Sequence, residues 1–171
     1  MQRARLFIGV TVVAWMAVAP AAQVRVARRA AGSGVSLAMH TDQNSNTMIS
    51  KATFTFAGNP GDSTFSVDFV TQLPARGQPA ARPHAVDMIV SEHLATEDAP
   101  TMSIRLNGED LPMRPRFRSS RSVVTTLSFD DFVRLANAAT VAPTAFDTQL
   151  EFSVPQMGIL RTVAEQWTTR R

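Results

Sequence analysis

Four arginines lie close together in the second half of the chain, and their spacing suits the binding of anions. Arg114, Arg116 and Arg118 occupy alternate positions, and Arg121 follows shortly after them. Because alternate side chains of a β-strand project from one face, three guanidinium groups would form a row. Guanidinium groups bind phosphate, sulfate and carboxylate groups through paired hydrogen bonds. The sequence therefore predicts a candidate anion-binding row for a polymer that carries repeated negative charges.

The same row has a second interpretation, as an edge strand that its charges protect from pairing with other chains. Pro112 and Pro115 favour an edge, since proline cannot donate to a sheet. Glu109 and Asp110 would then neutralise part of the positive charge. The two interpretations differ in one respect, because an anion-binding row should have no acidic side chains opposite it in the fold.

The histidines do not form a recognisable metal site. His40 with Asp42, and Glu92 with His93, each offer two ligands, whereas a metal site usually needs three or more. Neighbouring residues of a strand also point to opposite faces. His84 lies in a proline-rich stretch without a visible partner. The chain has no cysteine, which excludes disulfides and thiolate ligands. We predict neither a metal nor a cofactor.

Motifs for nucleophilic catalysis and for nucleotide binding are absent from the sequence. No Gly-x-Ser-x-Gly turn follows a predicted strand, and no glycine-rich phosphate loop is present. A catalytic pair of carboxylates stays an alternative, because any two of the 14 acidic residues can lie close together in the folded chain. No catalytic residue is predicted. A non-enzymatic binding protein is favoured, and the alternative is a small secreted hydrolase with a carboxylate or histidine site.

The first 22 residues have the composition of an export signal. Arg3 and Arg5 supply a positive start, residues 6–18 are uncharged and apolar, and Ala19 and Ala21 are the small residues that a signal peptidase reads. Export to the periplasm or the medium is therefore expected. The alternative is an uncleaved membrane anchor, favoured by Arg25, Arg28 and Arg29 beyond the apolar run, since positive charge there opposes translocation.

The net charge gives little reason to expect a nucleic-acid partner. The chain has 17 basic and 14 acidic residues, and loss of Arg3 and Arg5 with the signal leaves 15 basic residues. A mature protein with this near balance lacks the strongly basic character of nucleic-acid-binding domains. The candidate partners are an anionic polymer or a protein of the cell envelope, and the membrane only if the N-terminal segment is retained.

The C-terminal third predicts strands and helices in alternation. Ser122–Ser128 is rich in β-branched residues and predicts a strand. Ser128 then suits the N-cap of a helix of about three turns that begins at Phe129 and ends near Asn137. Residues 148–154 alternate as a strand, with Leu150, Phe152 and Val154 on one face. A last helix begins at Pro155 with Ser153 near its cap. Its predicted inner face consists of Met157, Leu160, Val163, Ala164 and Trp167.

The central part of the chain predicts strands that alternate between apolar and polar residues. Residues 53–70 predict a β-hairpin around the turn at 58–62, and residues 35–39, 85–91 and 101–106 predict further strands. Residues 72–84 predict a long irregular loop. Asn107 and Gly108 predict a tight turn, after which residues 113–118 return as a strand with Met113 and Phe117 opposite the arginines.

Two segments of the C-terminal third, 127–136 and 150–161, resemble stretches of exported bacterial proteins to which no activity is assigned. The resemblance covers less than a third of the chain. It implies no activity.

These observations predict an α+β protein. We expect a mainly antiparallel sheet of about six to seven strands, because the continuous apolar runs of a buried parallel sheet are absent. Two short C-terminal helices would cover one face. The expected organisation is a signal at 1–22, a flexible linker at 23–34, one domain at 35–168 and a tail at 169–171. The predicted function is that of an exported binding or envelope-accessory domain.

Overall fold

The structure is a computed structural model that describes residues 25–27, 34–42, 47–57, 64–74, 82–92 and 101–169. Its strands and helices follow one another along the chain. In order they are β1 (Arg25–Ala27), β2 (Val35–Asp42), β3 (Thr47–Ala57), β4 (Thr64–Pro74), β5 (Ala85–Glu92), β6 (Met102–Leu106), β7 (Glu109–Asp110), β8 (Arg116–Ser119), β9 (Ser122–Ser128), α1 (Phe129–Asn137), β10 (Val141–Ala145), β11 (Thr148–Leu150) and α2 (Val154–Thr169). The predicted α+β class is confirmed.

The larger sheet has six strands, in the order β2-β3-β4-β5-β9-β8, and all its neighbours are antiparallel. The predicted hairpin is confirmed as β3 and β4, whose pairing runs from Thr47 opposite Pro74 to Ala57 opposite Thr64. Buried and exposed residues alternate along each strand, and this alternation gives the sheet two different faces. Phe54, Phe69 and Met88 are fully buried on what we call the inner face, while Lys51 and Thr126 lie on the opposite, outer face.

A second sheet of five strands was not expected from the sequence. Its order is β1-β11-β10-β6-β7, and only the pair β1 and β11 is parallel. The sequence analysis missed β10, in which Pro143 lies opposite Ile104 of β6. The ladder between β10 and β11 is confined to Thr144 and Ala145, so it stops short of this proline.

Helix α1 begins as predicted. The Ser128 hydroxyl accepts from the Asp131 N–H at 3.1 Å and donates to the Asp131 carboxylate at 2.6 Å. Asp130 and Asp131 add negative charge to the first turn, where the helix dipole favours it. The helix ends at Asn137, as expected from the β-branched residues that follow.

Helix α2 begins at Val154, and this corrects the predicted strand at 148–154. The Ser153 N–H donates to the Gln156 side chain at 2.8 Å, and the Gln156 N–H reaches the Ser153 hydroxyl at 3.4 Å. This reciprocal capping turns the chain into a helix, so the strand ends at Leu150. Val154 was predicted on the buried face of that strand, yet it is 85% exposed in the first helical turn.

The predicted inner face of α2 is confirmed, and it closes a single core. Met157, Leu160, Val163, Ala164 and Trp167 are all buried. The Trp167 ring lies 5.1 Å from Phe132 of α1, and its N–H donates to the Ser50 hydroxyl of β3 at 2.9 Å. Phe152 contacts Phe54 and Phe69 of the larger sheet. Both helices therefore cover the inner face, and the smaller sheet shares the same core.

Two boundaries in the larger sheet also differ from the prediction. The irregular loop predicted for 72–84 begins later, because β4 continues through Leu73 to Pro74, and the buried Leu73 side chain belongs to the core. The strand predicted for 113–118 begins only at Arg116, because Pro112 and Pro115 keep the preceding residues out of a sheet.

The export signal predicted for 1–22, the turn at 58–62 and His93 lie outside the described residues. Within the linker predicted for 23–34, Arg25–Ala27 pairs with β11. Helix α2 continues to Thr169, the first residue of the predicted tail. In the part of the chain that the structure describes, no helix combines the length and apolar character needed to cross a membrane.

Candidate functional site

The arginine segment follows a crossing from the smaller sheet to the larger one. Leu111 is buried, and its N–H donates to the Ile104 carbonyl at 2.8 Å. Pro112 and Pro115 then carry the chain to β8, the outermost strand of the larger sheet. The turn after β8 is held by the Arg121 carbonyl, which accepts from the Glu92 N–H at 2.9 Å. The arginines therefore lie at a sheet edge, as the proline positions indicated.

The arginines do not form one regular row. Arg114 precedes β8, and only Arg116 and Arg118 belong to the strand. Arg116 lies opposite Val124 and Phe117 opposite Val123, but Ser119 lies opposite Ser122, so β8 contains one extra residue at Arg118. A bulge of this kind breaks the regular alternation of side chains. The prediction that Arg114, Arg116 and Arg118 alternate along one regular strand is therefore wrong. All four arginines are nevertheless exposed and clustered along one edge.

Arg116 is the only member of the group with a side-chain partner among the described residues. Its guanidinium donates to the Thr126 hydroxyl on β9 at 3.2 Å, and that hydroxyl donates to the Asp87 carboxylate on β5 at 2.6 Å. These three side chains cross the outer face as a hydrogen-bonded chain. Asp87 is thus the nearest acid along this chain, and Thr126 separates it from Arg116.

The two acids that precede the arginines are occupied elsewhere. Asp110 accepts from Arg105 at 3.2 Å, and Glu109 lies 3.8 Å from Arg134 of α1. The edge-strand interpretation of the sequence expected both to neutralise part of the positive charge of the row. Across the ion pairs of the described residues, no carboxylate is joined to Arg114, Arg118 or Arg121. We name these three residues the unpaired arginines. Their positive charge is left to solvent and to external anions.

An exposed aromatic ring accompanies the arginines. Phe117 is 64% exposed, although its backbone position places it on the inner face, opposite the buried Val123. Met113, predicted on the same side, is half-buried against the core. The helices cover the middle of the inner face and leave Phe117 at its rim uncovered. The edge therefore presents cationic groups together with one apolar ring.

The outer face also contains a half-open cleft with a volume of about 350 Å³. His84, Asp87 and Thr126 lie on its wall, and Ile49 and Val70 supply apolar surface. A nucleophilic site would need the hydroxyl to donate to a histidine. The Thr126 hydroxyl donates to Asp87 instead. This arrangement suits binding better than nucleophilic attack.

Among the described residues, no cluster of three or more His, Asp or Glu side chains is found. The side chain of His40 lies outside that description. His84 is exposed, and its carbonyl accepts from the Phe129 N–H at 3.2 Å.

Sequence reasoning missed Thr126 and Asp87 as neighbours of Arg116. In the structure both residues alternate with buried residues and so lie on the solvent-facing side of the sheet. Local sequence patterns did not predict that β5 and β9 are neighbours, because the two strands are far apart in the chain.

Comparison with protein-family models, with curated proteins and with solved structures finds no match for this chain. Nothing outside the chain itself therefore bears on the resemblance to exported bacterial proteins, and the site is interpreted from its own geometry.

Proposed function

We propose that this protein is an exported binding or envelope-accessory protein that holds an anionic polymer at the β8 edge. We propose export because residues 1–22 have the composition of an export signal. The alternative is that this segment is retained as a membrane anchor. The ligand class is a chain of phosphate, sulfate or carboxylate groups. Such a ligand matches several guanidinium groups spaced along an edge better than a single small anion does.

The observation that best supports the proposal is that the two acidic residues before the arginines form ion pairs with other residues. Glu109 and Asp110 precede the arginines in the sequence but pair with Arg134 and Arg105. If the arginines served only to prevent the edge from pairing with other strands, ion pairs between them and Glu109 or Asp110 would be acceptable. The separation of these acids from the arginines supports the proposal because it leaves the unpaired arginines available to an external anion.

Binding to inorganic polyphosphate tests the proposal. We expect the variant Arg114→Gln, Arg118→Gln, Arg121→Gln to bind about 100-fold more weakly at low salt, because each basic residue near an anionic surface contributes roughly 1 kcal/mol. Isothermal titration calorimetry at several salt concentrations measures both the affinity and its salt dependence, which should become shallower in the variant.

A matched control removes the same amount of charge from basic residues that have partners other than Glu109 and Asp110. In the variant Lys51→Gln, Arg82→Gln, Arg161→Gln, Lys51 and Arg82 belong to ion pairs and Arg161 donates to the Ala136 carbonyl. We expect its affinity for polyphosphate to stay within about threefold of the original, the size of a general charge effect. Equal weakening of binding in the two variants would refute a localised site.

A small hydrolase is the second candidate, and the cleft with His84, Asp87 and Thr126 is the observation that favours it. The test is hydrolysis of p-nitrophenyl acetate by the original protein and by the His84→Ala variant. Turnover that depends on His84 would support the hydrolase. Equal background rates in both proteins would exclude this site as the catalytic one for that ester.

A further inference from the structure

The two edges of the six-stranded sheet differ in how well they are protected. The β8 edge has four residues, a preceding proline, arginines and a bulge, which are all features that discourage strand addition. The β2 edge has eight residues in unbroken register, from Val35 opposite Phe54 to Asp42 opposite Thr47. Its residues 35–39 include no charge and no proline. Within the described residues, no strand pairs with the outer side of β2.

The free peptide groups of β2 can be identified from one hydrogen bond. The Thr55 N–H donates to the Gly34 carbonyl at 2.9 Å, immediately before Val35. In an antiparallel ladder, the residues that face the partner strand alternate with those that face away. Ser36 and Ala38 therefore face β3. Val35, Leu37 and Met39 turn their N–H and carbonyl groups to the open edge.

The side chains along this edge are apolar and exposed. Leu37 is 53% exposed and Met39 is 50% exposed, both on the inner face. Beside Met39, a space of about 250 Å³ opens against Trp167, Gln166 and Thr169 of α2. An incoming strand would cover these two side chains and bring further apolar atoms to this space.

We infer that β2 pairs antiparallel with β2 of a second copy of this chain, around a two-fold axis at Ala38. This register places Leu37 opposite Met39 of the second copy and Val35 opposite Thr41 of the second copy. All four residues have outward peptide groups, so the pairing forms about eight hydrogen bonds. On the inner face, the apolar Leu37 and Met39 side chains of each copy would then contact those of the other copy, which makes the edge self-complementary.

Charge supports a second copy as the occupant. The residues nearest the axis are neutral, and Lys51, which lies opposite Ala38 on β3, is 2.7 Å from Asp68 and hence compensated. Two copies can therefore approach without like-charge repulsion at the axis. One strand pair buries an area at the low end for stable dimers, so we expect a weak dimer that forms as the protein concentration rises.

A cross-linking experiment tests the register. Because the chain has no cysteine of its own, an introduced cysteine can form a disulfide only with the same residue of the second copy. At the axis, the two Ala38 Cα atoms would lie about 4.5 Å apart, within the range for a disulfide. We expect purified full-length Ala38→Cys protein to form a disulfide-linked dimer under mild oxidation. Ser36→Cys is the matched control, because its two Cα atoms would be about 14 Å apart. Equal cross-linking of both variants would overturn the register.

Sedimentation at increasing protein concentration tests the dimer itself. The original chain should change from monomer to dimer, and the variant Leu37→Glu, Met39→Glu should stay monomeric with an unchanged circular dichroism spectrum. Mixing it with Leu37→Lys, Met39→Lys should restore a dimer through opposite charges. A monomer at all concentrations of the original chain, or a dimer unaffected by these variants, would overturn the inference.

Discussion

Identical residue types behave differently in this protein according to which strands surround them. Arg105 and Arg134 have carboxylate partners, whereas Arg114, Arg118 and Arg121 have none among the described ion pairs. All five are exposed. An exposed ion pair contributes little to stability, so these pairs matter mainly because they remove acids from the neighbourhood of the unpaired arginines.

Buried polar atoms are a second feature at the residue scale. Thr125 is fully buried between Val123 and Leu127 on β9, and its hydroxyl has no hydrogen-bond partner among the described residues. We expect Thr125→Val to increase the free energy of unfolding by about 1–2 kcal/mol, because a methyl group of the same size removes an unsatisfied group. Urea unfolding measures the change. The neighbouring control Thr126→Val should give no increase, since that hydroxyl bonds Asp87 and Arg116.

The bond from Trp167 to Ser50 joins the last helix to the sheet. We expect Ser50→Ala to decrease the free energy of unfolding by about 1–3 kcal/mol, because the buried indole N–H loses its acceptor. In the Trp167→Phe background, the same Ser50→Ala change should cost about 1 kcal/mol less. Additive effects in this double-mutant cycle would show that the bond contributes nothing to stability.

At the scale of elements, the ends of the helices are determined by short-range hydrogen bonds. Ser128 caps α1, and Ser153 with Gln156 caps α2. These features connect residues three positions apart. Local sequence therefore predicts the start of α1 correctly and that of α2 to within one residue.

The cap of α1 can be tested directly. We expect Ser128→Ala to lower the free energy of unfolding by about 1 kcal/mol, since the Asp131 N–H loses its acceptor. Thermal unfolding followed by circular dichroism measures this loss. Ser103→Ala is the control, an exposed serine on β6 for which no side-chain hydrogen bond occurs in the described residues, and it should have little effect. A loss no larger than in the control would contradict a stabilising cap.

The elements that sequence reasoning missed depend on contacts distant in the chain. β10 contains Pro143, which argues against a strand, yet pairing with β6 stabilises it there. The division into two sheets likewise depends on which strands become neighbours. The hairpin of β3 and β4 was predictable because its strands are close in sequence and strongly alternating.

At the scale of the whole molecule, the two candidate surfaces lie at opposite edges of one sheet. The arginine edge is β8 and the open apolar edge is β2, with four strands between them. If β2 pairs with a second copy, the resulting sheet has an arginine edge at each end, separated by about 50 Å. Two such edges can bind one long polymer at two points and strengthen its attachment.

The candidate site was predictable in composition and less so in shape. The arginines and the prolines pointed to a charged edge, which the structure has. The bulge at Arg118 and the contact of Arg116 with Thr126 were not predictable, because both depend on the register between β8 and β9.

The most direct measurement of the central claim is an NMR titration of the protein with inorganic polyphosphate, followed by backbone amide signals. The account predicts saturable changes that are largest within residues 113–124, around the unpaired arginines. The changes should weaken as salt concentration rises. Changes centred instead on the paired Arg105 and Arg134, or no saturable change anywhere, would contradict the β8 edge as the binding site.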